Sequence, residues 1–411
     1  MKKPWIVFIE SNTSGTGHLF VTKAIQLGLR PVVLTDSPYR YPYLRQDKIE
    51  FVQTDTSDIE SLSDQVSALN QEGEIAGILS SSEYFIEASA ILASRFGLPS
   101  CAPESIRACR DKYHQRIRLF ESGMETPGFH RATSIAEAAD ALHNSSLPLV
   151  IKPVHGSGSV GVRLCRTESE FYEHAGMVLA RNTNERGISI PQEILIEEYL
   201  PGPEYSVEAF NQTVIGITRK HISPEPYFVE TGHDFPADIS VRDQKAIERA
   251  TIKGLSALGL NYGPTHTELR LTEAGPVIIE VNPRLAGGFI PELIRLALGI
   301  DMISATLKLY SGRQFDLQPK RKQHASIRFL SSDTEGEIIG FDGINDIAGD
   351  ASIVDIKSYR TAGDQIRIWN DFRDRLGHII SVGNSERSAA AAATAALKTV
   401  RVVVAANTRN N

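Results

Sequence analysis

Between residues 263 and 289 the chain reads GPTHTELRLTEAGPVIIEVNPRLAGGF, a stretch whose acids have the spacing of a site. THTELRL and PVIIEVN read as two strands joined by the short turn TEAG. With the turn centred on Ala274, Glu268 faces Glu280 and His266 faces Asn282. The period of two puts His266, Glu268 and Arg270 on one face, with Ile278, Glu280 and Asn282 on the matching face of the second strand. Opposed carboxylates repel. A shared proton relieves them, as does full solvation, or a divalent cation with Asn282 as third oxygen ligand. Hard oxygen donors with open positions suit Mg²⁺ on nucleotide phosphates. The apolar run VIIEVN makes a solvated face the less comfortable reading, because it leaves Glu280 buried without a partner. Two residues after Asn282, Arg284 can bind a carboxylate or a transferring phosphoryl group bidentately. Gly287 and Gly288 allow close backbone approach to a substrate, and also fit a plain turn.

The second stretch with chemistry in it is VIKPVHGSGSVGVRL, residues 150 to 164. Gly156, Gly158 and Gly161 spell G-x-G-x-x-G, a weak signal alone. A dinucleotide fold needs a helix after the glycines. Here SVGVRLCR is β-branched and alternating, so the pattern is strand, loop, strand. A phosphate loop needs Lys after the last glycine, and Val162 and Arg163 stand there. No H-R-D or D-F-G follows, which excludes a protein kinase. What remains is a mobile surface hairpin, or a hairpin whose backbone N–H groups around Gly156, Ser157 and Gly158 cover a phosphate chain, with Lys152 on the entering strand.

ILIEEYLPGPEYSVEAF, residues 194 to 210, reads as a strand, a Pro-Gly corner and a second strand. Backbone groups of the first strand can pair with an adenine edge, and Glu204 can accept from ribose hydroxyls. In TRKHIS, Arg219 or Lys220 can approach phosphate. In ETGHDFP, His233 can approach nucleotide or substrate, or simply hold a loop.

These pieces together, in order from about Asp111 to Phe289, resemble the ATP-grasp superfamily. DKYHQR resembles the segment of the first ATP-binding lysine, here Lys112. IKPVHGSGSVGV resembles the second, Lys152, with its phosphate-covering loop. IEEYLPGPEYSVE is similar to the hinge, which implies Glu197, Glu198, Tyr199 and Leu200 near adenine and Glu204 on ribose. HTELR and IIEVNPR resemble the two-metal motif, which implies Glu268, Glu280 and Asn282 as Mg²⁺ ligands and Arg284 beside the reacting phosphate. Within the superfamily, NPRLAGGFIPELI, ETGHDFP and the trailing region are most similar to the L-amino-acid ligases. The resemblance implies a mixed α/β and α+β fold: an N-terminal doubly wound α/β domain, a small lid and a C-terminal antiparallel-sheet catalytic domain, with ATP between two sheets. It implies ATP and Mg²⁺ as cofactors, two ions in number with Mn²⁺ as a substitute. The reaction it implies joins a carboxylate to an amine through an acyl phosphate, with Arg284, Lys152 and His233 as catalytic residues and Arg284, His233, Gly287 and Gly288 toward substrate. An ATP-grasp ligase or carboxylase with other substrates, and a nucleotide-binding protein without turnover, are the alternatives.

Several elements must position these residues. WIVFIE, PVVLTD and GILSSSE read as strands that alternate with helices such as HLFVTKAIQLGL, which implies a parallel sheet. SGTGH with Asp36 imitates a nucleotide turn but lacks the full fingerprint, so a strand-to-helix turn is the preferred reading. Pro103 opens a helix in the segment before Lys112. The pattern shifts divide the chain into 1–110, 111–195 (linker helices and lid), 196–310 (catalytic domain) and 311–411 (its C-terminal part, with an Ala-rich helix at 389–398). The 411 residues carry a formal net charge of -7 and no long basic run, which disfavours nucleic acid and anionic membranes. Three cysteines fit neither a disulfide framework nor a zinc site. The apolar run after MKK stops at Glu10, too short for a signal peptide. The expectation is a soluble cytoplasmic enzyme of small-molecule substrates, with a homodimer as the common state of similar enzymes.

Overall fold

The computed structural model describes residues 3–13, 16–184 and 186–406. The chain opens with a parallel four-stranded sheet in the order Glu50–Gln53, Arg30–Thr35, Trp5–Ile9, Ile75–Leu79. All five residues of WIVFI are buried, as a strand covered on both faces requires. One face packs on Phe20, Val21 and Ala24 of the helix Thr16–Gln26, the other on Leu62, Val66 and Leu92. Ser14 and Gly15 of the SGTG turn lie outside the described residues. The three cysteines are buried and free.

The helices Pro103–Arg110 and Lys112–Glu121 follow, with Pro103 at the first turn of one and the Asp111 side chain capping the other. A small antiparallel sheet comes next, in the order Phe129–Ala132, Ile194–Glu198, Leu149–Pro153, Arg163–Cys165. Its helices Ile135–His143 and Glu168–Leu179 cover one face, with Phe171 of the second helix in one core with Ile151 and Ile196 of the sheet. Leu149 pairs with Cys165 and Ile151 with Arg163, so the glycines do sit in a strand–loop–strand hairpin. Two expectations need correction. Ile194–Glu198 pairs within the lid sheet, so a division at 195/196 falls inside a strand. That strand is also flanked on both sides, so its own ladder consumes the backbone groups expected to meet adenine; only Tyr199 and Leu200 lie beyond it.

The largest sheet has eight antiparallel strands: Gly275–Asn282, Pro264–Thr272, Glu204–Phe210, Thr213–Ile222, Glu230–Phe235, His324–Leu330, Gly377–Gly383 and Ile353–Ser358. It runs across the 310/311 division. Glu268 pairs with Glu280 and His266 with Asn282, but a register shift follows, and Leu269 pairs with Ile278. The bulge overturns the placement of Ile278 beside Glu280. Ile278 turns into the core with Leu255 and Leu258, while Ile279 faces the cleft. A three-stranded sheet of Gln365–Ile366, Gly336–Asp342 and Arg401–Ala406 completes the C-terminal region.

Candidate active site

Between the lid sheet and the large sheet lies an open cleft of about 910 Å³. The lid contributes Val150, Lys152, the glycine loop and Glu197 to Leu200; the large sheet contributes Glu204, Lys220, Glu230, Glu268, Arg270 and Glu280. Period-two alternation explains this lining: Lys220 faces Glu204, Glu204 faces Arg270 on the next strand, and Glu268, two residues before Arg270, shares its side of the sheet.

The acids are matched by ammonium groups. Lys220 Nζ lies 2.9 Å from Glu204, 2.8 Å from Glu230 and 2.9 Å from Glu268. Burial works against its charge, yet Glu230, Glu268 and Glu204 raise its pKa well above the ordinary lysine value. Lys112 Nζ lies 2.9 Å from Glu280 and donates to the Gly156 carbonyl at 2.6 Å, tying the acid hairpin to the glycine loop. His266 bridges Glu208 at 2.7 Å and Glu268 at 3.0 Å. Burial lowers its pKa, but the two carboxylates overcome this and raise it to about 10, so the ring is an imidazolium at neutral pH. Asn282 is buried, and its side-chain amide takes no hydrogen bond among the described residues. Glu268, Glu280 and this free amide form an oxygen donor set that fits Mg²⁺.

Lys152 is paired with Glu197, which also accepts from Arg116 Nε at 2.5 Å. Burial alone would raise the Glu197 pKa; the charges of Arg116 and Lys152 hold it at about 2. The Lys152 pKa is lowered: burial outweighs the upward pull of the Glu197 carboxylate, and the Arg116 and Lys112 charges add to the lowering. The Glu197 carboxylate is therefore spent on positioning Lys152, not on adenine. Arg270 donates to the Leu200 carbonyl at 2.8 Å and to Glu204 at 3.3 Å, and lies over the rings of Tyr199 and Phe228 at 5.4 and 5.2 Å. These rings and Leu200 give the inner end of the cleft an apolar, aromatic character.

Arg284 is not among the residues lining this cleft; it lines a second cavity, with Thr16, Phe20, Ser80, Ser81, Pro283 and Ile106 among others. Its guanidinium is clasped by Glu83 of the N-terminal domain, and Glu83 is also 3.6 Å from Arg110. Gly288 has φ 58° and lies directly over His233, where a Cβ would come within 2.5 Å of Nε2. His233 is fully buried, and neither ring nitrogen makes a hydrogen bond; Glu230 lies 3.6 Å away, beyond bonding distance. Burial drops its pKa to about 3, which leaves the ring neutral, and His233 is not among the residues that line the cleft, so the approach to nucleotide expected of it is not seen in this structure. Arg219 also departs from expectation. It points to the opposite face from Lys220, half-exposed, 3.8 Å from Glu386, and does not approach the cleft.

Other residues here carried weaker sequence signals. Arg116 stands four residues after Lys112, hence on the same helix face. Glu83 follows the carboxyl end of a parallel strand, where such sheets place ligands. Glu230 neighbours His233 in ETGHDFP. Arg375, which clasps Glu230 from the C-terminal region, had none.

The profile of the ATP-grasp domain family matches residues 145–292, and that of L-amino acid ligase C-terminal domain 2 matches residues 328–405. The chain belongs to the ATP-grasp superfamily, in its L-amino acid ligase family. That is a family of ATP-dependent, peptide-bond-forming ligases. An uncharacterized protein, y4rH, of Sinorhizobium fredii is 37% identical over 384 residues, covering 93% of this chain and 80% of its own. Carnosine synthase 1 of Gallus gallus is 29% identical over 60% of this chain and 28% of its own length. The alanine–anticapsin ligase of Bacillus subtilis is 26% identical over 58% of this chain and 55% of its own. The chain thus spans about half or less of these two named ligases. The crystal structure of an L-amino acid ligase from Bacillus licheniformis superposes with a TM-score of 0.82 at 23% identity, covering 98% of this chain and 100% of that one. Among the described residues no helix is long and apolar enough to cross a membrane.

Proposed function

We propose that this L-amino acid ligase family member joins the carboxylate of an amino acid or similar acid to the amine of an L-amino acid, consuming ATP and releasing ADP and phosphate. The observation that carries the reading is the register of Glu268 opposite Glu280 at the wall of a cleft that also gathers Lys112, Lys152 and Lys220. In the reaction the acid's carboxylate oxygen bonds to the γ-phosphorus, and the bond from that phosphorus to the ADP oxygen breaks. The amine then attacks the acyl carbon, phosphate leaves, and the amine loses a proton. Mg²⁺, held by Glu268, Glu280 and Asn282, would supply charge neutralisation at the phosphates.

The chain's own residues do the rest. Lys152, paired with Glu197, and Lys112, anchored on Gly156, offer ammonium groups to the phosphate chain. The loop of Gly156, Ser157 and Gly158 covers that chain. Leu200 and the ring of Tyr199 form an apolar seat for the base, with Glu198 at its mouth and Glu204 toward the sugar. Arg284, at the far end, meets the acid and the transferring phosphoryl group. Gly287 and Gly288 bring the backbone close to the acid, and His233 supports Gly288 from beneath. No protein nucleophile is required.

The test is ADP release with Mg²⁺ and ATP across a matrix of paired amino acids, each also alone, with amides read by mass spectrometry. ADP and amide that appear only with pairs support the reading. ADP formed with one acid plus bicarbonate, or MgATP binding with no ADP under any pair, would replace it.

A further inference from the structure

The Arg186 side chain joins the lid to the N-terminal domain. The chain turns back on itself here: Thr183 bridges Ser189, and Asn184 Oδ1 accepts from the N–H groups of Arg186 and Ile188, both at 2.9 Å. At the tip, Arg186 Nη2 donates to the Ser11 carbonyl at 2.9 Å and Nη1 to the Tyr41 hydroxyl at 3.3 Å. Its guanidinium also lies 5.7 Å from the ring centre of Tyr84.

The receiving surface is rigid. Tyr41 donates to Glu10, which is fully buried and also accepts from Thr35 Oγ1 at 2.9 Å, Asp36 N at 2.8 Å and Thr56 Oγ1 at 3.0 Å. Glu10 holds a φ of 53°, a conformation costly for a non-glycine residue and sustained by these bonds. The Tyr41 hydroxyl joins the two charges: it donates to the buried Glu10 carboxylate and accepts from the Arg186 guanidinium. The dock also adjoins the reacting end of the site. Ser11 Oγ lies 3.0 Å from Ser81 Oγ, and Ser81 shares the second cavity with Arg284.

The lid's own core of Ile151, Phe171 and Ile196 is complete without this contact. What the contact adds is a bridge from lid to N-terminal domain, across 145 to 175 residues of sequence. We infer that Arg186 is a positioning residue: it latches the lid onto the N-terminal domain during turnover and thereby keeps the acyl phosphate from water. The second half of this statement rests on the ligase reading above. An acyl phosphate exposed to water is hydrolysed, so a loose lid would waste ATP.

The experiment uses full-length Arg186→Ala and Arg186→Lys proteins with a productive substrate pair, measuring ADP and amide in the same reaction. Wild-type protein should form them in equal amounts. Arg186→Ala should release roughly 3-fold or more ADP per amide, with an unchanged melting temperature, and Arg186→Lys should fall between. Hydrogen exchange at residues 183–189 provides a second readout. MgATP should protect this turn in wild-type protein and not in Arg186→Ala. Equal ADP-to-amide ratios in all three proteins, or equal protection of the turn in wild type and Arg186→Ala, would overturn the latch. If the wild-type protein makes no amide from any pair, the ligase reading fails, and hydrogen exchange alone decides whether the latch exists.

Discussion

Lys152 and Glu197 are both almost without solvent, and neither would keep its charge alone. Removing one partner of such a cluster leaves a buried charge unmatched. Glu197→Gln should therefore lower unfolding free energy by about 3–5 kcal/mol, read by urea denaturation. The same change at its exposed neighbour Glu198 should stay within about 0.5 kcal/mol. At the acid pair the effect belongs to rate. Glu280→Gln should reduce ADP release on the order of 10³-fold, several kcal/mol of barrier, while the fold persists because Lys112 keeps its bond to Gly156. His266 provides a pH signature. Its native pKa, about 10, lies above the unfolded value near 6.5, so the native state holds the extra proton. The resulting stability is complete below about pH 6.5 and is lost as pH rises toward 10. Wild-type protein should lose stability over that window more steeply than His266→Gln in parallel denaturation curves; parallel slopes would refute the assignment.

The glycine hairpin is an element held from two sides. Phe372 N–H donates to the Gly158 carbonyl at 3.2 Å, and Ser159 Oγ donates to the Phe228 carbonyl at 2.8 Å. Gly158 has φ 66°, and a Cβ there would sit 2.5 Å from the Phe372 ring. Gly158→Ala thus combines backbone strain with a collision. Strain of about 1–3 kcal/mol corresponds to roughly 5- to 150-fold, expected as a raised KM for MgATP in steady-state kinetics. Phe372→Ala in the same protein should restore only part of it, because the φ strain remains. A double variant with wild-type KM would assign the whole effect to the ring. The acid hairpin is the other decisive element. Its bulge after Glu268 keeps Glu268 and Glu280 opposed while turning Ile278 into the core and Ile279 into the cleft.

At the scale of the whole molecule, the C-terminal region shares the large sheet that forms one wall of the cleft. Its strands His324–Leu330, Gly377–Gly383 and Ile353–Ser358 extend the sheet beyond Glu230–Phe235, and from it Arg375 and Phe372 hold the cleft residues Glu230 and Gly158. A chain ending at residue 310 would expose an apolar sheet edge, a template for aggregation. It should be insoluble or lack near-ultraviolet circular dichroism, whereas an independently folding ATP-binding half would remain soluble with native signal. What the sequence by itself determined is local. The opposition of Glu268 and Glu280 follows from one short turn, the glycine hairpin from alternation on both sides of its loop, and the parallel sheet from strands alternating with helices. What only the tertiary structure decided is long-range: Glu197 against Arg116, 81 residues apart; Arg284 against Glu83, 201 apart; and the Arg375 clasp on Glu230, 145 apart. It also decided that Lys220, not Arg219, faces the cleft, and that Gly288 covers His233. The reason is physical. Hydrogen-bonded turns and side-chain period act over a few residues, whereas sheet order and the closing of one domain on another choose which distant charges meet, and no local pattern encodes that choice.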